Sequence, residues 1–279
     1  MVVVLSLVSA VLYGISDFVG GFASRRTSVW PVALLACVGA FAGAVVLALA
    51  RPGDPTTTDL GWGLLAGLGS GAGTAFLYRG LATGRMGVVA PVSAVGAVLV
   101  PLAVGLLAGE RPDILAWAGI AVALPGIWLV SRDEPQDQAP EAGGANGLLD
   151  GILAGVSFGV LFAALGQVPA DAGYWPLVAN QAVSMVSLVV VAAVLGGDVR
   201  VRHRAELWGL VPGVLATLAV LFFLLATHEG LLSLAAVITS LYPAFTVLLA
   251  IVVLREHVHR TQALGLVLCA ATIVCVSAA

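Results

Sequence analysis

Ten almost uncharged runs, each long enough to cross a bilayer, take up most of this chain: residues 2–23, 30–50, 60–78, 86–109, 114–131, 151–170, 172–197, 207–227, 230–254 and 261–279. About 20 apolar residues in a helix cross the hydrocarbon. Only Asp17 lies well inside a run, Arg79 stands at the end of one, and nearly all other charge falls in the connections. Charged residues make up 10% of the chain, against about 25% in soluble domains. Strands of a membrane barrel are about 10 residues of alternating polarity, and none of these runs alternates. Backbone at lipid depth must satisfy its own hydrogen bonds, so the runs are expected to be helices. The expected fold is an all-α integral membrane protein with ten transmembrane helices and no soluble domain.

Smaller signals agree with these boundaries. Trp30, Trp62, Trp117, Trp128, Trp175 and Trp208 all lie within a few residues of a run's end, the depth an indole ring prefers. The first run has no basic region ahead of it, so it reads as a span and not as a cleaved signal peptide. Cys37, Cys269 and Cys275 sit inside apolar runs and read as small hydrophobes, not a disulfide framework. All twelve basic residues are arginine, which leaves no amine for Schiff-base chemistry.

The connection 132–150, RDEPQDQAPEAGGANGLLD, is the one long polar stretch, and its composition reads as a disordered linker. It divides the chain into residues 1–131 and 151–279, five spans each. The halves share a layout. One apolar run carries Pro91 and Ser93 and ends at Gly109-Glu110-Arg111; another carries Thr239, Ser240, Tyr242 and Pro243 and ends at Arg255-Glu256-His257. Glu110 and Glu256 are 146 residues apart, and so are Gly119 and Gly265. Identity at that offset is faint, eight positions between 84 and 131, so the layout carries the argument. Both glutamates read as surface residues at helix starts. Duplicating an odd number of spans turns the second copy upside down. The expectation is two inverted five-helix repeats, a common plan for secondary transporters. The odd-numbered connections hold ten arginines and the even-numbered ones two. By the positive-inside rule that tally places the N-terminus outside the cytoplasm.

SLYPAFTVLLA, the L-x-E cap after it and TQALGLVL resemble the second repeat of EamA-type transporters, in the drug/metabolite transporter superfamily. APVSAVGAVLVPLAVGLLAGERP is similar to the first repeat, its Gly109-Glu110-Arg111 matching the family's G-E-R cap, and SLVSAVLYGISDFVGGFASRR is similar to the first span. The resemblance covers essentially the whole chain and defines membership, not substrate. It implies ten helices, a central substrate cavity, alternating access and both termini in the cytoplasm, the last opposite to the arginine tally. This chain departs from the pattern twice. Arg255-Glu256-His257 stands where Gly-Glu-Arg is usual, and Ala97 occupies the position equivalent to Pro243. Equal bending of the two halves is therefore in question.

Candidate site residues follow from polar groups at lipid depth. On a helical wheel Ser6, Ser9, Tyr13, Ser16, Asp17 and Gly20 share one side of the first span, with Val4, Val8, Val11, Ile15, Phe18 and Phe22 on the other. A mid-helix aspartate costs about 2.5–3.5 kcal/mol on insertion scales, so it faces a cavity or a partner. Asp17 reads either as a substrate or proton site, or as a carboxylate that pairs with Arg25, Arg26 or Arg79 or reaches interfacial water. Asn180 and Gln181, with Ser184 and Ser187, are interhelical glue or substrate contacts. Tyr78 and Arg79 close the third span, where Arg79 either snorkels to the headgroups or binds an anionic substrate group. Thr239, Ser240, Tyr242 and Pro243 combine hydroxyls with a proline that frees a carbonyl one turn earlier. They form a cavity wall or a plain kink, with Pro91 and Ser93 as the weaker counterpart. Glycines four apart, such as Gly67/Gly71, permit close helix packing. The G-x-S-x-G string at 155–159 lies inside a span and has no histidine at its depth, so it is not a nucleophile elbow. His257 and His259 read as loop residues, not metal ligands.

The expected function is secondary transport of a small organic solute (a metabolite, amino-acid-like compound or drug) by alternating access across the cell membrane. An intramembrane enzyme is disfavoured because no catalytic pair shares a depth. A channel is disfavoured because no charged rings are present. The sequence calls for no cofactor, metal or nucleic acid. The expected partners are a small-molecule substrate and the lipid bilayer; proton coupling and the choice of monomer or homodimer stay open. Few charges within the spans suggest a neutral, zwitterionic or hydrophobic solute.

Overall fold

The computed structural model describes residues 1–24, 27–83, 86–131, 144–254 and 259–278. Its helices in chain order are α1 (Val2–Ser24), α2 (Val29–Ala50), α3 (Thr57–Thr83), α4 (Met86–Leu107), α5 (Ile114–Ser131), α6 (Gly144–Leu165), α7 (Trp175–Val194), α8 (Leu210–Glu229), α9 (Leu232–Thr239), α10 (Tyr242–Leu254) and α11 (Arg260–Ser277). No strand occurs among the described residues. Eight segments are long and apolar enough to cross a membrane, one of them made of α9 and α10 together, and the shorter apolar helices Val92–Leu107 and Ile114–Val130 fill the other two places. The wheel drawn for α1 holds. Ser6 and Ser9 are fully buried, while Val4 is 60% exposed.

Two boundaries differ from the sequence reading. Helix α3 continues to Thr83 and α6 begins at Gly144, so Arg79 and Asp150 are both helical. Residues 144–150, assigned to the linker by composition, extend the sixth span.

The ninth span is broken as its proline dictates. Pro243 has no N–H to return to Thr239, and α9 ends there. The turn is carried by the N–H of Leu241 donating to Ile238 at 3.1 Å and that of Ala244 donating to Leu241 at 2.9 Å. Its first-half counterpart α4, with Ala97 in the equivalent place, is one unbroken helix. The halves bend differently.

The packing nevertheless obeys a pseudo-twofold, since exchanging each span with the one five later maps contacts onto contacts. Helices α3 and α7 meet as α8 and α2 do, α3 and α6 as α8 and α1, and α4 and α6 as the ninth span and α1. The correspondence holds residue by residue. A methyl at Gly63, Gly67 or Gly71 of α3 would overlap the carbonyl of Pro176, Asn180 or Ser184 of α7. In the other copy, 146 residues on, Gly209 and Gly213 press on the carbonyls of Val32 and Ala36, and the Thr217 hydroxyl donates to the Ala40 carbonyl at 2.8 Å. Gly14 of α1 and Gly159 of α6 repeat the relation at an offset of 145. The first sits against the Tyr242 carbonyl and the second against that of Gly96, both 3.0 Å from where a Cβ would stand. Gly119 and Gly265 relate α5 and α11 the same way, against Thr272–Val276 and Gly126–Val130. These are two inverted five-helix repeats.

Candidate functional site

Polar side chains on the inner faces of both repeats surround a cavity of about 410 Å³. Helix α1 supplies Tyr13, Ser16 and Asp17, α6 supplies Phe158, Leu161 and Phe162, and α10 supplies Tyr242, Pro243 and Thr246. Gln181 and Ser184 come from α7, Ser70 and Thr74 from α3, and Ser93 from α4. The lining reaches Gly21, Leu77, Val130 and Gln262, all at helix ends next to the odd-numbered connections.

Aromatic rings gather at the inner end. Tyr13 lies edge-on to Phe162, centroids 6.1 Å apart, and 6.0 Å from Tyr242. Phe162 in turn rests on Phe223 at 4.7 Å. The helix break turns Tyr242 and Pro243 inward, and the Thr246 hydroxyl bridges the break to α1 through the Gly14 carbonyl at 3.3 Å. Asp17, one turn beyond Tyr13, is exposed. It is the one charged side chain among the described residues of the lining.

At the opposite face the even-numbered connections close the molecule. Gly109, with φ +94°, ends α4 in a left-handed turn, and the N–H of Glu110 reaches back to the Gly105 carbonyl at 2.9 Å. The Glu110 carboxylate then accepts from the N–H groups of Leu232 and Ser233 at 2.6 and 3.0 Å. It therefore caps the start of α9, where the exposed N–H groups and the helix dipole favour an anion. This corrects the reading of Glu110 as a surface residue at the start of its own helix. Glu256 lies outside the described residues. On the same face the His228 ring meets the Val168 carbonyl at 2.8 Å, and the N–H of Asp54 donates to Asp171 at 3.0 Å.

Of the residues singled out by sequence, Tyr13, Asp17, Ser93, Gln181, Tyr242 and Pro243 line the cavity. Asn180, Thr239 and Ser240 do not. They are fully buried, and their side-chain polar atoms have no hydrogen-bond partner among the described residues. Arg79 is not in the lining and is paired with Asp150. Its Nε donates to both oxygens of Asp150 at 2.9 and 3.1 Å, and a terminal nitrogen completes the ion pair. The side chains of Tyr78 and Pro91, and all of Arg25, Arg26 and His257, lie outside what is described. The G-x-S-x-G string is a packing surface, with Gly155 against the backbone of Ser93 and Gly96. Sequence reasoning missed Phe158, Phe162, Thr246 and Gln262, because an aromatic or hydroxyl in an apolar run carries no sign of which way it points.

A second cavity, about 540 Å³, lies between the α1–α2 and α7–α8 connections. Its acidic groups are engaged locally. Asp198 pairs with Arg202, and Glu206 accepts from the N–H groups of Arg202 and His203. The N–H of Arg200 on Asp198 holds that carboxyl below the usual carboxylate range. This is a folded connection that seats the start of α8.

The pattern of an EamA-like transporter family matches residues 1–132 and again residues 145–278. No curated protein matches. Among solved structures, one described only as a crystal structure of a protein aligns with TM-score 0.75 over 99% of this chain and 96% of its own. At 18% identity that likeness is one of fold alone.

Proposed function

The chain belongs to the EamA-like transporter family of the drug/metabolite transporter superfamily, and from that premise we propose that it carries a small organic solute through the central cavity by alternating access at the cell membrane. Members of this family are multi-pass membrane transporters, not enzymes. The observation that carries the finer reading is a cavity between two inverted repeats whose lining runs to one face. It is walled by both halves, extends to the odd-numbered connections, and is closed at the other face by connections that interlock, with Glu110 clasping α9. Closure at one face at a time is what alternating access requires. Inverted repeats supply two similar arrangements that can exchange.

The test is reconstitution of the purified protein in proteoliposomes. Saturable uptake accelerated by unlabelled solute on the far side (counterflow) is expected. Non-saturating flux without counterflow would identify a channel, and chemical conversion of the solute an enzyme. Repeating the assay with an imposed pH gradient determines proton coupling.

A further inference from the structure

We infer that Asn180 and Thr239 are polar contacts that the solute meets only when the cavity faces the even-numbered connections. This rests on the alternating-access reading. Both residues are fully buried, and neither the Asn180 amide nor the Thr239 hydroxyl has a hydrogen-bond partner among the described residues. Native folds leave few buried polar groups unpaired, and each one calls for a reason. Neither residue lines the cavity as it stands.

The pseudo-twofold supplies the reason. It maps the centre of the lining onto itself: Cys37 exchanges with Gln181 and Ala97 with Pro243, and all four line the cavity. Lining residues nearer the odd-numbered connections exchange instead with residues packed away at the opposite depth. Ala36 exchanges with Asn180, whose carbonyls are the ones that meet Gly213 and Gly67. Ser93 exchanges with Thr239 at the offset of 146 that also relates Ala97 to Pro243. Ala36 and Ser93 are in the lining, whereas Asn180 and Thr239 are 0% exposed. Reversing the cavity therefore trades the first pair for the second. The connections follow the same rule. Those between α2 and α3 and between α6 and α7 meet through the Asp54 N–H and the Asp171 carbonyl. Their counterparts, between α7 and α8 and between α1 and α2, stand apart around the cavity of about 540 Å³.

The two openings then differ in chemistry. Ser93 and Thr239 offer a hydroxyl on either side, but where one side has the Ala36 methyl the other has an amide that both donates and accepts. Ser240 is an internal control. It is also buried and unpaired among the described residues, yet it exchanges with Ala94, which is buried outside the lining.

Cysteines are placed singly at Asn180, Thr239 and Ser240 in the full-length chain lacking Cys37, Cys269 and Cys275, held in nanodiscs so that both faces meet solvent. The probe is a water-soluble, charged methanethiosulfonate, its position read by mass spectrometry. Asn180→Cys and Thr239→Cys are expected to react about tenfold or more faster than Ser240→Cys. A disulfide between Asp54→Cys and Asp171→Cys, across connections that already meet, is expected to slow both to the Ser240→Cys rate until it is reduced. Equal rates at the three positions, or rates indifferent to the disulfide, would overturn the inference. Melting provides a second check should a cysteine variant not fold. Asn180→Leu, close in shape and without polar atoms, is expected to melt no lower than the unaltered protein. A lower melting temperature would show that the amide holds the fold, and would remove it from the solute's path. The two readings fail separately. Fast labelling without counterflow in proteoliposomes would sink the transport reading alone. Counterflow with Asn180→Cys and Thr239→Cys as unreactive as Ser240→Cys would sink this inference alone.

Discussion

Glu110 shows how a single side chain can join two repeats. It leaves α4 through the positive φ of Gly109 and caps a helix that begins 122 residues later. Loss of an N-terminal cap costs about 0.5–2 kcal/mol, and α9 is only eight residues long, all of them buried. Glu110→Ala is therefore expected to destabilise the protein by about 1–2 kcal/mol, read as a lower melting temperature in detergent. A second substitution tests the geometry. The carboxylate lies where a Cβ on Gly105 would stand, so Gly105→Ala should also destabilise, although alanine in a helix is ordinarily better than glycine by about 1 kcal/mol. A Gly105→Ala protein that melts higher would show that the clasp does not carry load. The sequence marked Glu110 as a repeat signature but could not show its partner, because nothing local records a bond across the chain's midpoint. Asp17 was the reverse case. The cost of placing a carboxylate at lipid depth made it conspicuous, whereas the aromatic side chains of the lining carried no sign of which way they point. The paucity of charge, read from sequence as a sign of a neutral, zwitterionic or hydrophobic solute, leaves Asp17 as the one charged side chain among the described residues of the lining.

At the scale of elements, much was legible. Length and dryness gave the spans, and Pro243 gave the break between α9 and α10. The run of α6 was misjudged at its start because Gly, Ala and Asn at 144–147 look like linker. Asp150, the last residue assigned to the linker, pairs with Arg79 of α3. The glycine pairs were legible as close packing but not as a symmetric set. The offsets are 144, 145 or 146 for different spans, since the connections differ in length, and Gly71 is matched by Thr217. A search for letters at one offset finds little, whereas a search for carbonyls that meet a glycine finds the whole pattern. Gly67→Ala, which would drive a methyl into the Asn180 carbonyl, should cost about 1–3 kcal/mol. Gly61→Ala, with nothing within 4 Å, should be neutral or stabilising by up to about 1 kcal/mol. Melting the two variants side by side checks the joint. Equal melting temperatures would refute it.

For the whole molecule, the cavity's lining extends toward the odd-numbered connections, so the direction it faces in the cell follows from topology. With Arg79 removed to its pair with Asp150, the arginine tally still stands at nine to two. It predicts that a cysteine placed at Ala139, in a variant lacking Cys37, Cys269 and Cys275, is protected from an impermeant maleimide in intact cells and labelled after lysis. Labelling in intact cells would instead put both termini in the cytoplasm, as the family resemblance implies. The glycine joints also have a mechanical side. Between α3 and α7, and between α2 and α8, a helix rests at several turns on its neighbour's bare backbone. Sliding such surfaces asks few side chains to leave a rotamer well, unlike a seam of interlocked knobs. Sliding of packed helices is a recognised mode of domain motion. Under the alternating access proposed above, the two ladders, related by the pseudo-twofold, are the surfaces along which one half of the chain would slide against the other.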